Sequence, residues 1–375
     1  MCWSSTPGRR SGRISRSGTA SCRRSDGGLP RSTVAKLITK RGLLKTFLAL
    51  TMLALITAGV FAALLSYGTS MPGVSYAGPL PDVPEINETG ERLATHVRTL
   101  AGDIGERHFW RGRSLDDAAN YIEERFREFR YVPRIEEVDN RGARNILVDL
   151  HGTRAQQRIL VIGAHYDSRL FTPGADDNAS GVAMLLELAR AFSGRRQPLT
   201  LRFIAFTNEE RPFFGTPRMG SRVSAERSRT AGEEIVGMYS LEMLGFYSDE
   251  QGSQRYPRVI KNKYPDAGNF VAFVGNLNSR SFLHESLAVF RNRARFPSTG
   301  LSMPQLLVPG IRRSDHSSYW VNGYPAVMIT DTAEYRNPNY HQLTDTPDTL
   351  DYDRMALVLE GLIAMIESMA ADTSE

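Results

Sequence analysis

Short apolar runs alternate with longer helical patterns through most of this chain. We predict strands where six such runs occur, at residues 144–150, 158–163, 201–207, 235–241, 269–275 and 325–330. Apolar residues at helical spacing predict helices at about 88–104, 114–130, 180–192 and 351–369. Residues 211–222 read as an irregular loop, because two prolines and two glycines interrupt them. Strands alternating with helices predict an α/β domain with a mixed, mainly parallel central sheet and helices on both faces.

Polar residues able to do chemistry follow the ends of several predicted strands. They are His165, Asp167, Asp176, Asp177, Glu209, Glu210, Glu242 and, in a turn-rich loop after the last strand, His341. The carboxyl ends of parallel strands meet at one edge of an α/β sheet, which is where such folds build their sites. We therefore expect these side chains to lie together.

The residue types favour a metal centre. Zinc binds imidazole nitrogen and carboxylate oxygen, and its catalytic sites keep a position open for water. His165 supplies an imidazole, and Asp177 is a carboxylate that could bridge two ions. Asp167 is better placed to hold the tautomer of His165 than to bind metal. Of the pair Glu209 and Glu210, one carboxylate can bind metal while the other accepts a proton from water.

Five segments together resemble a known family. They are Gly163-Ala-His-Tyr-Asp-Ser168, Gly174-Ala-Asp-Asp-Asn-Ala-Ser-Gly181, Thr207-Asn-Glu-Glu210, Leu241-Glu-Met243 and Asn337-Pro-Asn-Tyr-His341. The chain resembles the co-catalytic zinc exopeptidases, family twenty-eight of the metallopeptidases. That family includes bacterial leucyl aminopeptidases, glutamate carboxypeptidases and glutaminyl cyclases. The resemblance covers roughly residues 85–370.

The resemblance implies a role for each matching residue. His165 would bind one zinc ion and His341 the other, with Asp177 bridging both and Glu210 joining His341. Glu209 would be the general base, and the Asp177–Asn178 peptide bond is expected to be cis. The family usually has aspartate where Glu242 stands. We expect Glu242 to be a ligand on the His165 side, so that two zinc ions are expected and one remains possible.

The resemblance also implies the activity. We expect an aminopeptidase that hydrolyses the amino-terminal residue of peptides. The alternatives are other amide chemistry on the same scaffold, by a carboxypeptidase, deacylase or glutaminyl cyclase, and a catalytically silent domain that binds ligands at a membrane. Asp315 and His316 match an Asp-His element near the family's site. Tyr319, Tyr335 and Tyr340 are candidate pocket residues.

Charge divides the chain unevenly. Residues 1–45 hold 11 of the 46 Lys and Arg residues but only one of the 41 acids, Asp26. The remainder therefore has 35 basic and 40 acidic residues, so the main domain offers no case for nucleic-acid binding. Both cysteines, Cys2 and Cys22, lie in this leader, which excludes thiolate zinc ligands from the rest of the chain.

Residues 46–67 contain no charged side chain and are long enough to span a bilayer. We therefore expect a basic, disordered cytoplasmic leader over residues 1–45, a transmembrane anchor or signal segment over 46–67, a linker over 68–84 and the exopeptidase domain over 85–375. Basic residues stay cytoplasmic, so the catalytic domain is expected on the periplasmic or extracellular side. Secretion after signal cleavage is the alternative.

Overall fold

The structure, a computed structural model, describes residues 40–82 and 84–371. Most of the predicted disordered leader lies outside the described residues. The chain divides into two compact units, residues 1–59 and 60–375, which are considered separately. The described part of the first unit is helical and, where its side chains are described, largely solvent-exposed.

Eight α-helices and eight strands make up most of the described chain. The helices are α1 Lys40–Thr69, α2 Pro84–Val97, α3 Gly112–Glu128, α4 Gly181–Phe192, α5 Gly220–Thr230, α6 Arg280–Arg293, α7 His316–Val321 and α8 Tyr352–Ala370. The strands are β1 Arg134–Glu137, β2 Arg144–Leu150, β3 Ala155–His165, β4 Leu199–Phe206, β5 Glu234–Glu242, β6 Val271–Gly275, β7 Ser298–Ser302 and β8 Ala326–Thr330. A π-helix, Arg98–Ile104, continues α2.

All eight strands belong to one sheet in the order β1-β2-β4-β3-β5-β8-β6-β7. The central strands β4, β3, β5 and β8 are parallel, β6 and β7 are parallel to each other, and the remaining neighbours are antiparallel. The predicted mixed, mainly parallel sheet is confirmed. Strand β4 lies on one side of β3 and β5 lies on the other, so the direction in which strands are added to the sheet reverses at β3. A crevice at such a reversal is the usual place for a site.

Helices cover both faces of the sheet. Along β3, Leu160 and Ile162 pack into the large core under α2, α3, α4 and α8, while Ile159 and Val161 pack into a second cluster under α5 and α7. This alternation follows from the two-residue period of a strand. Because both faces are buried, β3 reads in the sequence as a continuous apolar run.

The structure also corrects the predicted elements. The sheet begins one strand earlier than predicted, at β1, and residues 280–293 and 298–302 form α6 and β7, which were not predicted. The predicted irregular loop 211–222 ends early because α5 begins at Gly220. That glycine is required by packing, because a Cβ there would clash with the carbonyl oxygen of Thr207.

Candidate metal centre

The predicted site residues converge at the carboxyl edge of the sheet. His165 is the last residue of β3 and Glu242 the last residue of β5. Glu209 and Glu210 follow β4, and Asp177 lies in the turn before α4. His341 reaches the same place from the long loop after β8, with a left-handed backbone φ of 59°.

Two groups of ligand atoms result, and they share Asp177. One group contains His165, Asp177 and Glu242, and the other contains Asp177, Glu210 and His341, with the atoms of each within 4.8 Å of one another. His165 Nε2 lies 3.5 Å from Asp177 Oδ1 and 3.3 Å from Glu242 Oε2. His341 Nε2 lies 3.1 Å from Asp177 Oδ2 and 3.2 Å from Glu210 Oε1. Asp177 thus presents one oxygen to each group.

These atoms suit a metal of the zinc class. His165 Nε2 and Glu210 Oε1 are buried and have no hydrogen-bond partner among the described residues. The other ring nitrogen of His165 is 3.0 Å from the backbone oxygen of Asp167, so Nδ1 donates there and Nε2 keeps its lone pair for a metal. Imidazole nitrogen with carboxylate oxygen is the donor set that zinc accepts.

Asp167 was predicted to hold the tautomer of His165, and the structure gives that contact to its backbone oxygen and not to its carboxylate. Its carboxylate oxygen is 3.6 Å from His165 Nδ1, too far for a hydrogen bond, and its backbone oxygen fixes the tautomer instead. The carboxylate accepts hydrogen bonds from the backbone N–H groups of Glu209 at 3.1 Å and Glu210 at 2.9 Å. Asp167 therefore holds the loop that carries the two glutamates. The Asp167 side chain faces that loop because β3 and β4 are neighbours in the sheet. The sequence alone does not reveal that the two strands are neighbours.

The Asp177–Asn178 bond is cis, as the resemblance implied. Around it, Asn178 Nδ2 donates to Leu241 O at 2.9 Å, and its Oδ1 accepts from Met243 N at 3.0 Å. Asp345 accepts from the backbone N–H groups of Asp176 and Asp177. These bonds tie the turn carrying Asp177 to the end of β5 and to the loop after His341.

Burial and like charge set the electrostatics of the centre. Burial raises the pKa of Glu209 well above its usual value, and the neighbouring Glu242 and Glu210 raise it further. Burial likewise raises the pKa values of Glu210 and Glu242. Burial alone would raise the pKa of Asp177, but the hydrogen bond from His341 and the adjacent positive charges hold it below the ordinary value. The cluster therefore stabilises positive charge placed among its ligands.

Asp315 and His316 lie in different environments in the structure. Asp315 is fully buried beside the centre, and burial raises its pKa to about 7. His316 instead begins α7, with Nε2 2.6 Å from Ile311 O, and burial lowers its pKa to about 4. The histidine is a neutral part of the core. Tyr319 was predicted as a candidate pocket residue, but it is buried in the core instead.

Three supporting residues escaped sequence reasoning. Ser314 Oγ donates to Glu242 Oε2 at 2.7 Å, and Asp345 supports the Asp177 turn. Arg107 is fully buried and donates to five backbone carbonyls, including those of Tyr166 and Gly174 on either side of the metal loop. Asp345 could have been found from the sequence, because it is an acid four residues after His341. Nothing in the sequence around Arg107 indicates its role.

A model of peptidase family M28 matches residues 145–366. The chain belongs to this family. The "Uncharacterized protein YfbL" of Escherichia coli strain K12 is 35% identical over 322 residues, covering 82% of this chain and 98% of that protein. The "Probable leucine aminopeptidase" of Trichophyton verrucosum is 27% identical over 237 residues, covering 59% and 56%. The chain thus spans about half the length of this fungal relative.

Solved structures of other proteins share the fold. A zinc aminopeptidase from Bacillus subtilis superposes with a TM-score of 0.60 at 15% identity, covering 79% of this chain and 98% of that one. A glutaminyl cyclase from Bacteroides thetaiotaomicron gives 0.56 at 17% identity, covering 76% and 99%. At such identities the likeness shows the fold alone. Family membership and the relatives together support a zinc metallopeptidase.

Proposed function

We propose that the protein is an aminopeptidase that removes the amino-terminal residue of peptides. In this proposal His165, Asp177, Glu210, Glu242 and His341 hold two zinc ions, and Glu209 is the general base. The observation that carries it is an apolar pocket that adjoins the ligand groups through Glu242. Glu242 and Tyr340, whose ring stacks on His341 at 3.7 Å, both line that pocket.

The pocket suits one apolar side chain. Its floor is the sheet, through Ala272 and Val274 of β6 and Met328 of β8. Ile260 and Val308 close it from the loops that pack over this part of the sheet. Side chains of this kind bind an apolar residue by excluding water from it. A peptide whose first side chain fills the pocket places its first carbonyl beside the ligand groups.

Charge favours a free amine at this position. Five carboxyl groups, those of Asp177, Glu209, Glu210, Glu242 and Asp315, surround the centre and are all buried. Two zinc ions would carry four positive charges, so an ammonium group finds negative charge left over. A carboxypeptidase needs a cation for the substrate carboxylate. The pocket's Arg313 is already paired with Glu334, and Arg255 donates to the backbone oxygen of Glu334.

The chain's own residues then divide the work. Zinc, when bound, lowers the pKa of water and polarises a carbonyl group. Glu209, held by Asp167 through its backbone, is placed to take a proton from the attacking water and to return it to the leaving amine. Its raised pKa suits both directions of transfer. Asp167 and Ser314 orient Glu209 and Glu242, respectively, before substrate binds.

A mixed peptide set tests the proposal. The full chain, loaded with zinc in detergent, is incubated with peptides of varied termini, and products are read by mass spectrometry with and without a chelator. We expect stepwise loss of apolar residues from free amino ends, abolished by the chelator. Amino-terminally acetylated copies of the same peptides are the matched control and should stay intact.

Other products would reject the proposal. Loss of carboxyl-terminal residues, of one acyl group or of one ammonia would assign the carboxypeptidase, deacylase or cyclase chemistry instead. A chelator-insensitive result, or cleavage of the acetylated copies at the same rate, would contradict the assigned metal centre or the role of the free amine.

A further inference from the structure

The last turns of α1, from residue 60 onward, belong to the second unit and pack within it. Gly68 is buried, and a Cβ on it would clash with Met303 Sδ and Ser302 O. Leu65 packs against the apolar cluster that contains Met303. Residues 42–69 form the one described helix that is long and apolar enough to cross a membrane. The last turns of α1, which belong to the second unit, therefore pack at the end of β7.

The following segment continues along edge strand β7 and is tied to it. Arg291 Nη1 donates to Pro72 O at 2.7 Å, and Ser298 N donates to Ser75 Oγ at 2.9 Å. The guanidinium of Arg280 lies 4.0 Å from the ring centre of Tyr67. Residues 67–75 are thus held to the surface around β7, which fixes where the end of α1 meets the unit.

An exposed leucine lies in the next loop. Leu306 follows Met303 by three residues and is 91% exposed, the largest fraction among the exposed large apolar residues described. Its neighbour Leu307 packs on the same cluster as Leu65. Exposed apolar side chains are common singly, but one beside the end of a membrane-length helix can enter the lipid boundary.

Positive charge is concentrated in the same sector. Segments 255–263, 280–295 and 303–313 hold ten of the 35 basic residues that follow position 45, but only one of the 40 acids, Glu285. Lys261 and Lys263 are exposed and make no ion pair with any residue that the structure describes. Tyr264, next to Lys263, donates to Gly300 O on β7, and a Cβ on Gly300 would lie 2.8 Å from Met71 Sδ. The basic segment and the end of the anchor thus flank one strand.

We propose that this sector rests on an anionic lipid surface. The sector is defined by Leu306, Lys261, Lys263 and the residues that follow α1 to position 75. Leu306 enters the acyl boundary, and the two lysines bind phosphate groups of the lipid heads. The chain after position 45 is net acidic, yet this sector, beside the end of α1, is basic. This placement favours a lipid surface over a second protein, because anionic lipids attract basic residues near a membrane.

The proposal has a consequence for substrates, which rests on the aminopeptidase function proposed above. Ile260 and Val308, which line the apolar pocket, belong to the two loops that carry Lys261 and Leu306. The pocket would then open close to the lipid heads. Peptides whose amino terminus lies near the membrane surface would reach it most readily.

A probe at position 306 tests the contact without using activity. Cys2 and Cys22 are the only cysteines, so Cys2→Ser and Cys22→Ser give a background for Leu306→Cys carrying an environment-sensitive dye. Val132→Cys is the matched control, because Val132 is 85% exposed and precedes β1, at the opposite edge of the sheet. The full chain is placed in vesicles of phosphatidylcholine with or without phosphatidylglycerol, together with lipids that carry a quencher.

We expect the dye at position 306 to shift to the blue and to be quenched roughly twofold or more beyond the dye at 132 in anionic vesicles. Lys261→Glu with Lys263→Glu should remove roughly half or more of that difference there. Equal quenching at the two positions would overturn the proposal. A blue shift at 306 without lipid quenching would also overturn it, because the dye would then be shielded by protein and not by lipid.

Discussion

Buried glutamates behave in opposite ways in two parts of this protein, the Glu187 group (Glu187 with Arg92, His96 and Arg190) and the metal centre. On α4, Glu187 is 1% exposed, yet its pKa falls to about 2. Burial opposes this shift, but hydrogen bonds from His96, Arg190 and Arg92 outweigh it. Arg92 Nε lies 2.9 Å and Arg190 Nη2 2.8 Å from the carboxylate.

At the carboxyl edge of the sheet, Glu209, Glu210 and Glu242 are buried to a similar degree, but their pKa values rise. The basic side chains beside them are those of His165 and His341, and among the described residues no arginine lies as close to them as Arg92 and Arg190 lie to Glu187. The nearest, Arg169, is 4.0 Å from Glu210. The Glu187 group is neutralised by its own chain, whereas the metal centre leaves charge to be neutralised by a bound cation. The comparison separates a structural cluster from a functional one.

The largest effect should come from the acid that neither ligand group includes. Glu209→Gln should lower turnover of an amino-terminal leucine substrate by about 10²–10⁴-fold, because the amide cannot carry the proton. Zinc content, measured by mass spectrometry of the metal, should stay at the wild-type level. Turnover within a fewfold of wild type would remove Glu209 as the base.

The matched control for that variant is Glu187→Gln, the same change in the other cluster. It should leave turnover near the wild-type value while lowering stability. A loss of turnover in both variants, in proportion to lost folded protein, would mean that the two clusters do not differ as described.

Zinc should stabilise the protein through the metal centre alone. Free zinc at 100 times its dissociation constant adds about 2.7 kcal/mol to the free energy of unfolding. We expect chelator to lower the melting temperature of wild type, and His341→Ala to retain fewer zinc ions per chain. His341 is the more exposed histidine, with 29% of its side chain accessible against 1% for His165, so its group should lose zinc first on dialysis. Unchanged zinc content in His341→Ala would contradict its assignment as a ligand.

The sequence was sufficient to predict that the acids at the strand ends lie together. Strand periodicity and chain order determine that they share the carboxyl edge of the sheet. It predicted β3, β4, β5 and the residues that follow them for that reason. It missed β7, whose sequence Ser298-Thr-Gly-Leu-Ser302 is mostly polar and small. It missed Arg107 because five carbonyls from separate turns meet only after folding. The docking of residues 67–75 on β7 depends equally on tertiary contacts.

The Glu187 cluster should contribute stability that depends on pH. Glu187→Gln should lower the free energy of unfolding by about 2 kcal/mol at pH 7, because the hydrogen bonds to charged partners are weakened and both arginines remain partly solvated. Chemical denaturation at fixed pH measures this loss. A matched change at exposed Glu367, Glu367→Gln, should have little effect.

The sign of the pH dependence follows from the lowered pKa. Folded Glu187 has a pKa of about 2 against an ordinary value of 4.5, so its contribution is complete above about pH 5 and is lost as pH falls toward 2. The stability gap between wild type and Glu187→Gln should therefore shrink across that window. A gap that widens as pH falls would contradict the assigned pairing.

The smallest effect should come from shortening one ligand. Glu242 Oε2 accepts from Ser314 Oγ at 2.7 Å and lies 3.3 Å from His165 Nε2. Aspartate is shorter by about 1.5 Å and cannot meet both partners. Glu242→Asp should weaken zinc at the His165 group by about tenfold while leaving the His341 group unchanged. Competition with a chelating dye resolves the two affinities, and Ser314→Ala should weaken the same group. An equal or tighter His165 group in Glu242→Asp would mean that the strand end can move toward the metal, and that this cluster is less rigid than its burial implies.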